Sequence, residues 1–153
     1  MKEDVLIFKN FNDIFDFLIK DEEEAIEVYQ SMARRSQKLE SRKTFEQFVR
    51  DETGHFMELK KMRSRYTHDN FVRPMQVKAT KPDKTVHPID EIKQMSYQDI
   101  LRFAIKEEQK SENLYLDIAR QLKDQQANNL FAHIAEEENK HCRRLKKMLS
   151  FEE

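Results

Sequence analysis

The chain has 153 residues, and 37 % of them are charged, yet 28 Lys and Arg nearly balance 29 Asp and Glu and leave a formal net charge of -1. This balance gives no indication of binding to nucleic acid or to an anionic membrane. The single cysteine, Cys142, excludes an internal disulfide and a four-cysteine metal site. The N-terminal sequence lacks the long apolar core of a signal peptide, so we expect a cytoplasmic protein with one domain, residues 1–153.

Apolar residues recur at alternating spacings of four and three in four segments, which is typical of helices that bury one stripe. These segments predict helices at about residues 11–37, 42–68, 97–122 and 126–149. One Gly and few β-branched runs agree with an all-α protein.

The stretch at about residues 69–95 separates the second predicted helix from the third. It contains all three prolines and is too long for a tight turn, so we expect an irregular crossover that runs the length of an antiparallel four-helix bundle. Ser96 followed by Asp99 predicts the N-terminal cap of the helix that follows.

Ionisable residues interrupt each apolar stripe at positions where a core residue is expected. They are Glu22 in the first helix, Glu52 and His55 in the second, Glu108 in the third, and Glu138 and His141 in the fourth. Burying an unpaired carboxylate costs on the order of several kcal/mol, and the stripes contain no Lys or Arg that could offset four of them. The pattern therefore predicts bound metal, and a metal-free salt-bridged network is the alternative.

The two halves of the chain repeat each other at a shift of 86 residues, which carries Glu22 onto Glu108, Glu52 onto Glu138 and His55 onto His141. The repeat indicates a duplicated helical hairpin. In each hairpin the midpoint between the ligand candidates falls on a predicted turn, so we expect all six groups to share one layer of the bundle. Residues three apart project from one face of a helix, so each Glu-x-x-His can offer a carboxylate and an imidazole to the same metal. Oxygen and imidazole ligands suit iron, with manganese or zinc as alternatives.

At these motifs the chain resembles the ferritin-like di-iron carboxylate superfamily and, within it, the rubrerythrins. The resemblance rests on "EEEAIEVY" and "ETGH" in the first half and on "EQKSENLY" and "ENKH" in the second. It implies a ferritin-like bundle in which two iron ions are bound.

By this resemblance Glu52 and Glu138 would bridge the two ions, while the other four candidates would be terminal ligands. Tyr29 and Tyr115 resemble tyrosines that hydrogen-bond ligand carboxylates in the family; they would act on the reaction through those carboxylates, and ordinary core packing is the alternative. Rubrerythrins have a further ligand Glu where this chain has Lys110. The more symmetrical set resembles that of bacterioferritin.

The resemblance implies a di-iron oxidoreductase that reduces hydrogen peroxide or dioxygen and protects against oxidative stress. Electrons would come from a separate donor such as a rubredoxin. A ferroxidase or iron-storage protein of bacterioferritin type is one alternative, and a metal-free helical interaction module is another. The proline-bearing crossover and the lack of a recognisable short fifth helix after Met148 favour a small oligomer over a cage. We expect apolar side chains off the stripes, such as Ile26, Val28 and Phe56, to be exposed, and therefore expect a homodimer.

Overall fold

The protein is described by a computed structural model that covers residues 4–65, 75–79 and 88–152. Seven elements follow one another along these residues. They are β1 (Asp4–Phe8), α1 (Phe11–Arg35), α2 (Leu39–Arg65), β2 (Met75–Ala79), α3 (Pro88–Ile92), α4 (Tyr97–Gln121) and α5 (Gln125–Glu152). The four long helices fall where the apolar spacing predicts them. The last residues predicted for the second helix, 66–68, lie outside the described residues.

The chain divides into two compact units. We call α1, α2 and α3 the N-terminal hairpin unit, and β1, β2, α4 and α5 the C-terminal hairpin unit. In each unit the two long helices pack against each other, with turns at residues 36–38 and 122–124. The sequence predicts turns at both places. The single-domain expectation remains a prediction.

Local sequence explains where the helices begin. The side chain of Asn10 accepts a hydrogen bond from the Asp13 backbone N–H at 2.9 Å, and Ser96 accepts one from Asp99 at 3.1 Å. Asp124 caps α5 in the same way, through the N–H of Ala127. These bonds satisfy backbone donors that a helix start leaves without an intrahelical partner.

In the N-terminal hairpin unit, the buried stripe consists mainly of aromatic and aliphatic side chains, including Phe15, Leu18, Phe45 and Leu59. Val28 is also buried, so the expectation that it is exposed is wrong. The short helix α3 packs on α1, and the Arg35 guanidinium donates to the carbonyls of Ile92 and Met95 at 3.0 and 2.7 Å.

The C-terminal hairpin unit contains a two-stranded antiparallel sheet, in which β1 pairs with β2 from Asp4↔Ala79 to Phe8↔Met75. The expectation of an irregular crossover is therefore wrong at Met75–Ala79 and at the helical turn Pro88–Ile92. The residues of β1, DVLIF, are mostly β-formers, and a strand this short needs a partner that local sequence does not reveal.

None of the helices in the described part of the chain has an apolar stretch long enough to span a bilayer.

Candidate metal centre

The N-terminal hairpin unit brings together three of the predicted ligands. Glu22 comes from α1, while Glu52 and His55 lie one turn apart on the same face of α2. The Nδ1 atom of His55 is 3.5 Å from Oε1 of Glu52 and 3.7 Å from Oε2 of Glu22. All three side chains are buried, with relative exposures of 5 % or less.

Burial and mutual repulsion act on the acid groups of this cluster. Burial raises the pKa of Glu22 well above its ordinary value, and the nearby charge of Glu52 raises it further. The interaction with His55 acts in the opposite direction. A neighbouring positive charge therefore stabilises the ionised form of Glu22.

The carboxylates around His55 favour the charged form of its imidazole. Burial disfavours its charged form, but the carboxylates of Glu22 and Glu52 outweigh that effect and raise the pKa of the imidazole to about 10. Without metal, protonated His55 therefore provides the positive charge that offsets the carboxylates of Glu22 and Glu52.

The C-terminal hairpin unit repeats the arrangement with the other three predicted ligands. Glu108 lies on α4, and Glu138 and His141 lie one turn apart on α5. The Nδ1 atom of His141 is 3.5 Å from Oε1 of Glu108, and all three residues are buried. We call the two clusters the N-terminal half-site (Glu22, Glu52, His55) and the C-terminal half-site (Glu108, Glu138, His141).

The donor geometry of each half-site fits a metal ion. Within each half-site, one atom from each of the three residues lies within 4.8 Å of the other two. Ligand atoms that are each roughly 2.1 Å from a shared ion lie at most about 4 Å apart, so only small side-chain movements are required. Two carboxylates and one imidazole match the ligand preferences of iron, manganese and zinc.

The two tyrosines predicted to support the ligands are buried in aromatic clusters of their own units. Tyr29 stacks with Phe45 at a ring-centroid distance of 6.3 Å and meets Phe48 edge-on at 5.2 Å. Tyr115 packs against Phe131 at 5.9 Å. These contacts agree with core packing, and the role of the two tyrosines toward the ligands stays a prediction.

Lys110, at the position of the additional ligand Glu of rubrerythrins, forms an ion pair with Glu107 at 3.3 Å. Both side chains are partly exposed, so this position presents a cation to the solvent side of α4. Position 110 therefore adds no carboxylate to the C-terminal half-site, which has the same three residue types as the N-terminal one.

Asp51 and Glu137, which directly precede Glu52 and Glu138 in the sequence, form polar contacts outside the half-sites. Asp51 accepts a hydrogen bond from Gln47 at 2.8 Å on the exposed side of α2, and Glu137 pairs with the exposed His133 at 3.1 Å. His68 and His87 lie outside the described residues. Cys142 is buried, with its sulfur 4.0 Å from the carbonyl oxygen of Ile105, and burial raises the pKa of its thiol.

Gly54, the only glycine, lies between the two α2 ligands and is exposed. A methyl group built at this position would meet no atom within 4 Å. Within the described residues, nothing approaches Gly54 closely enough to exclude a side chain.

Sequence reasoning missed one charged feature near the half-sites. Lys140, Arg143, Arg144 and Lys147 line one exposed face of α5, whereas the matched positions of α2 are Gly54, Met57, Glu58 and Lys61 and have no net charge. Only a position-by-position comparison of the two repeats would have revealed it, because exposed charges leave no periodic signal.

Comparisons with known proteins agree with the architecture. A solved structure from Thermotoga maritima, described provisionally as a ferritin-like diiron-carboxylate protein, is similar to this chain with a TM-score of 0.75 and 24 % sequence identity. The similarity covers 94 % of this chain and 96 % of that one, and it shows an all-α, ferritin-like fold. A comparison with curated proteins found no match.

The sequence model of the rubrerythrin family matches residues 13–149. This range includes all six residues of the two half-sites and all four long helices except for their outermost residues. The chain therefore belongs to the rubrerythrin family.

Proposed function

We propose that the chain is a di-iron oxidoreductase that reduces hydrogen peroxide or dioxygen. The observation that carries this proposal is the duplication of a buried half-site with two carboxylates and one imidazole. Membership of the rubrerythrin family and similarity to a protein described as diiron-carboxylate support the choice of two metal ions and of iron.

In this proposal each half-site contributes three ligands to one two-metal centre. The four carboxylates would offset the charge of two divalent cations, and the cations would favour the ionised form of Glu22 against the burial and the nearby Glu52 charge that raise its pKa. His55 and His141 would each provide one neutral nitrogen. His55 must first release the proton that Glu22 and Glu52 stabilise, so metal binding would be coupled to proton release.

The bound ions would supply the redox chemistry, as a pair of ferrous ions that can together provide two electrons to an O–O bond. Reduction of one peroxide to two waters consumes two electrons and two protons. The protein residues hold and neutralise the ions, and burial of the ligands limits access of bulk water. The sequence has one cysteine and cannot itself form a four-cysteine iron centre, so we propose that a separate donor such as a rubredoxin supplies the electrons.

The decisive experiment measures metal content and peroxide consumption together. Protein purified without chelators and loaded anaerobically with Fe(II) should bind about two iron ions per chain. The reduced protein should then consume about one peroxide per iron pair in a single turnover, because two electrons are available.

Glu52→Ala and Glu138→Ala should each lose the paired site and this reaction. Matched controls are Glu46→Ala and Glu136→Ala, which remove exposed carboxylates from the same two helices. Full di-metal occupancy in either ligand variant would contradict the assignment, and absence of metal binding by the unsubstituted chain would favour a metal-free helical module.

A ferroxidase of bacterioferritin type is the second candidate, favoured by the symmetrical half-sites and by Lys110 at the position of the extra ligand. It predicts iron loading far beyond two ions per chain and a large hollow assembly. Continued peroxide reduction by a small oligomer supplied with external electrons supports the first candidate. Mass in solution and iron content after aerobic loading separate the two, and they also test the proposed homodimer.

A further inference from the structure

The exposed side of α5 next to His141 carries a concentrated positive charge. Lys140, Arg143, Arg144 and Lys147 lie within about two helical turns, and all four side chains are exposed. Together they form what we call the α5 basic face. From Lys140 to Phe151, the helix contains no acidic residue.

The internal duplication provides a baseline for judging this charge. The residues that correspond to the α5 basic face at the 86-residue shift are Gly54, Met57, Glu58 and Lys61 of α2. This set has no net charge, and Met57 is 64 % exposed. At the ligand positions the two repeats have the same residue types, because Glu52 matches Glu138 and His55 matches His141. The two repeats have therefore kept the same buried ligands and differ by four formal charges at these four matched positions, while over the whole matched stretches 54–65 and 140–151 the difference is two.

Three of the four charges, those of Lys140, Arg143 and Lys147, are available to a binding partner. Lys140 lies 3.9 Å from Glu136, and both side chains are exposed, so solvent screens that pair. In the part of the chain that the structure describes, neither Arg143 nor Lys147 forms an ion pair. An exposed cluster of one sign steers partners of the opposite sign and increases the rate of encounter.

The position of the face relates it to the C-terminal half-site. Lys140 and Arg143 flank His141 in sequence, and the buried imidazole points away from the exposed surface of the same helix. A partner bound to the α5 basic face would be separated from this ligand by about one helix diameter, roughly 10 Å.

We propose that the α5 basic face is the docking surface for an acidic one-electron donor protein. This inference rests on the proposed function, which requires two external electrons per peroxide. Each encounter would oxidise one donor iron from Fe(II) to Fe(III) and transfer one electron. Two encounters and two protons from solvent would complete the reduction of one peroxide to two waters.

An acidic protein fits better than the other anionic partners. The whole chain has a formal charge of -1, and the α5 basic face extends over only about two helical turns. Nucleic acids and anionic membranes bind through more extended positive surfaces.

The first test measures binding to the metal-loaded protein with a reduced, acidic rubredoxin as the probe. The variant Lys140→Gln/Arg143→Gln/Lys147→Gln should weaken binding about tenfold at low ionic strength, and salt should abolish most of the difference. The control Lys43→Gln/Arg50→Gln/Lys61→Gln removes the same charge from exposed positions of α2 and should leave the affinity nearly unchanged. Circular dichroism verifies that both variants are folded, and Arg143→Glu provides an independent test by charge reversal.

The second test separates docking from the reaction itself. Peroxide reduction is followed with the reduced rubredoxin and, separately, with reduced methyl viologen, a small cation that has no attraction to a basic surface. Slower rubredoxin-driven turnover in the α5 variant, with viologen-driven turnover intact, supports the docking surface. Equal loss of rubredoxin binding in the α2 control overturns it.

Viologen-driven turnover without salt-dependent rubredoxin binding would reject the docking proposal and leave the proposed function standing. Absence of turnover with both reductants would instead reject the function. Binding of a DNA duplex or of phosphatidylserine vesicles, with no binding of rubredoxin, would also overturn the acidic-protein partner.

Discussion

The Nδ1 atom of His141 on α5 lies 3.5 Å from the Oε1 atom of Glu108 on α4. This contact joins the two long helices of the C-terminal hairpin unit through a pair of buried ionisable groups. It is the counterpart of the contact between His55 and Glu22, so the duplication has preserved the three-dimensional relationship as well as the residue types.

We expect Glu108→Gln to lower metal content from about two ions per chain to about one, because the amide keeps the size of the side chain but removes a ligand charge. The control is Glu112→Gln, one turn further along α4, where the side chain is only partly buried. Metal analysis by mass spectrometry after equilibrium dialysis measures the difference. Unchanged occupancy in Glu108→Gln would show that this carboxylate is not a ligand.

Metal should stabilise the protein strongly. A ligand present at roughly 1,000 times its dissociation constant adds about 4 kcal/mol to the free energy of unfolding, which corresponds to a melting temperature about 10 °C higher for a chain of this size. Calorimetry of the chelated and metal-loaded protein gives the shift. Equal melting temperatures would indicate that the buried carboxylates are satisfied without metal.

The metal-free protein should become less stable as the pH rises through the range in which His55 loses its proton. The pKa of His55 is about 10 in the folded chain and ordinarily 6.5, so its contribution is fully present below pH 6.5 and is lost as the pH approaches 10. In the presence of a chelator, His55→Gln should therefore lower the free energy of unfolding at pH 6, and the deficit should shrink by pH 10.

Urea denaturation at the two pH values measures this deficit, with His133→Gln as the control for an exposed imidazole. A deficit that is equal at both values would mean that His55 is neutral in the metal-free protein.

Gly54→Ala should stabilise the protein by up to about 1 kcal/mol, because alanine favours helix formation and the added methyl group meets no neighbouring atom. The reciprocal change at the matched repeat position, Lys140→Gly, should lower the stability by a similar amount. Thermal unfolding and mass in solution are measured together. A loss of stability in Gly54→Ala, accompanied by a smaller oligomer, would show that a second copy packs closely against this residue.

The helices and ligand positions could be predicted because both depend on local regularity. The three-and-four spacing places Glu22 and Glu52 on buried stripes, and the repeat shows that these interruptions are not accidental. The tertiary contacts that raise the pKa of His55 depend on the distance between two helices, and spacing along one helix does not determine that distance.

The sheet and the α5 basic face could not be predicted by the same signals. The strands Asp4–Phe8 and Met75–Ala79 are each five residues long and are stabilised by a partner that is distant in sequence. The basic face consists of residues such as Arg143 that any exposed helix surface tolerates, and its significance comes from the contrast with Met57 in the other repeat.

The pairing of β1 with β2 has a consequence for the order of folding. Phe8 and Met75 are neighbours in the sheet, but the whole α1–α2 hairpin lies between them in the chain. Closing a flexible loop of that length costs more conformational entropy than closing a short one, by about 0.6 kcal/mol for each doubling. An antiparallel helical hairpin returns the chain toward its starting point, so prior formation of α1 and α2 shortens the effective loop. We therefore expect the pairing of β1 with β2 to form after the α1–α2 hairpin. When that hairpin unfolds, this pairing should be lost first.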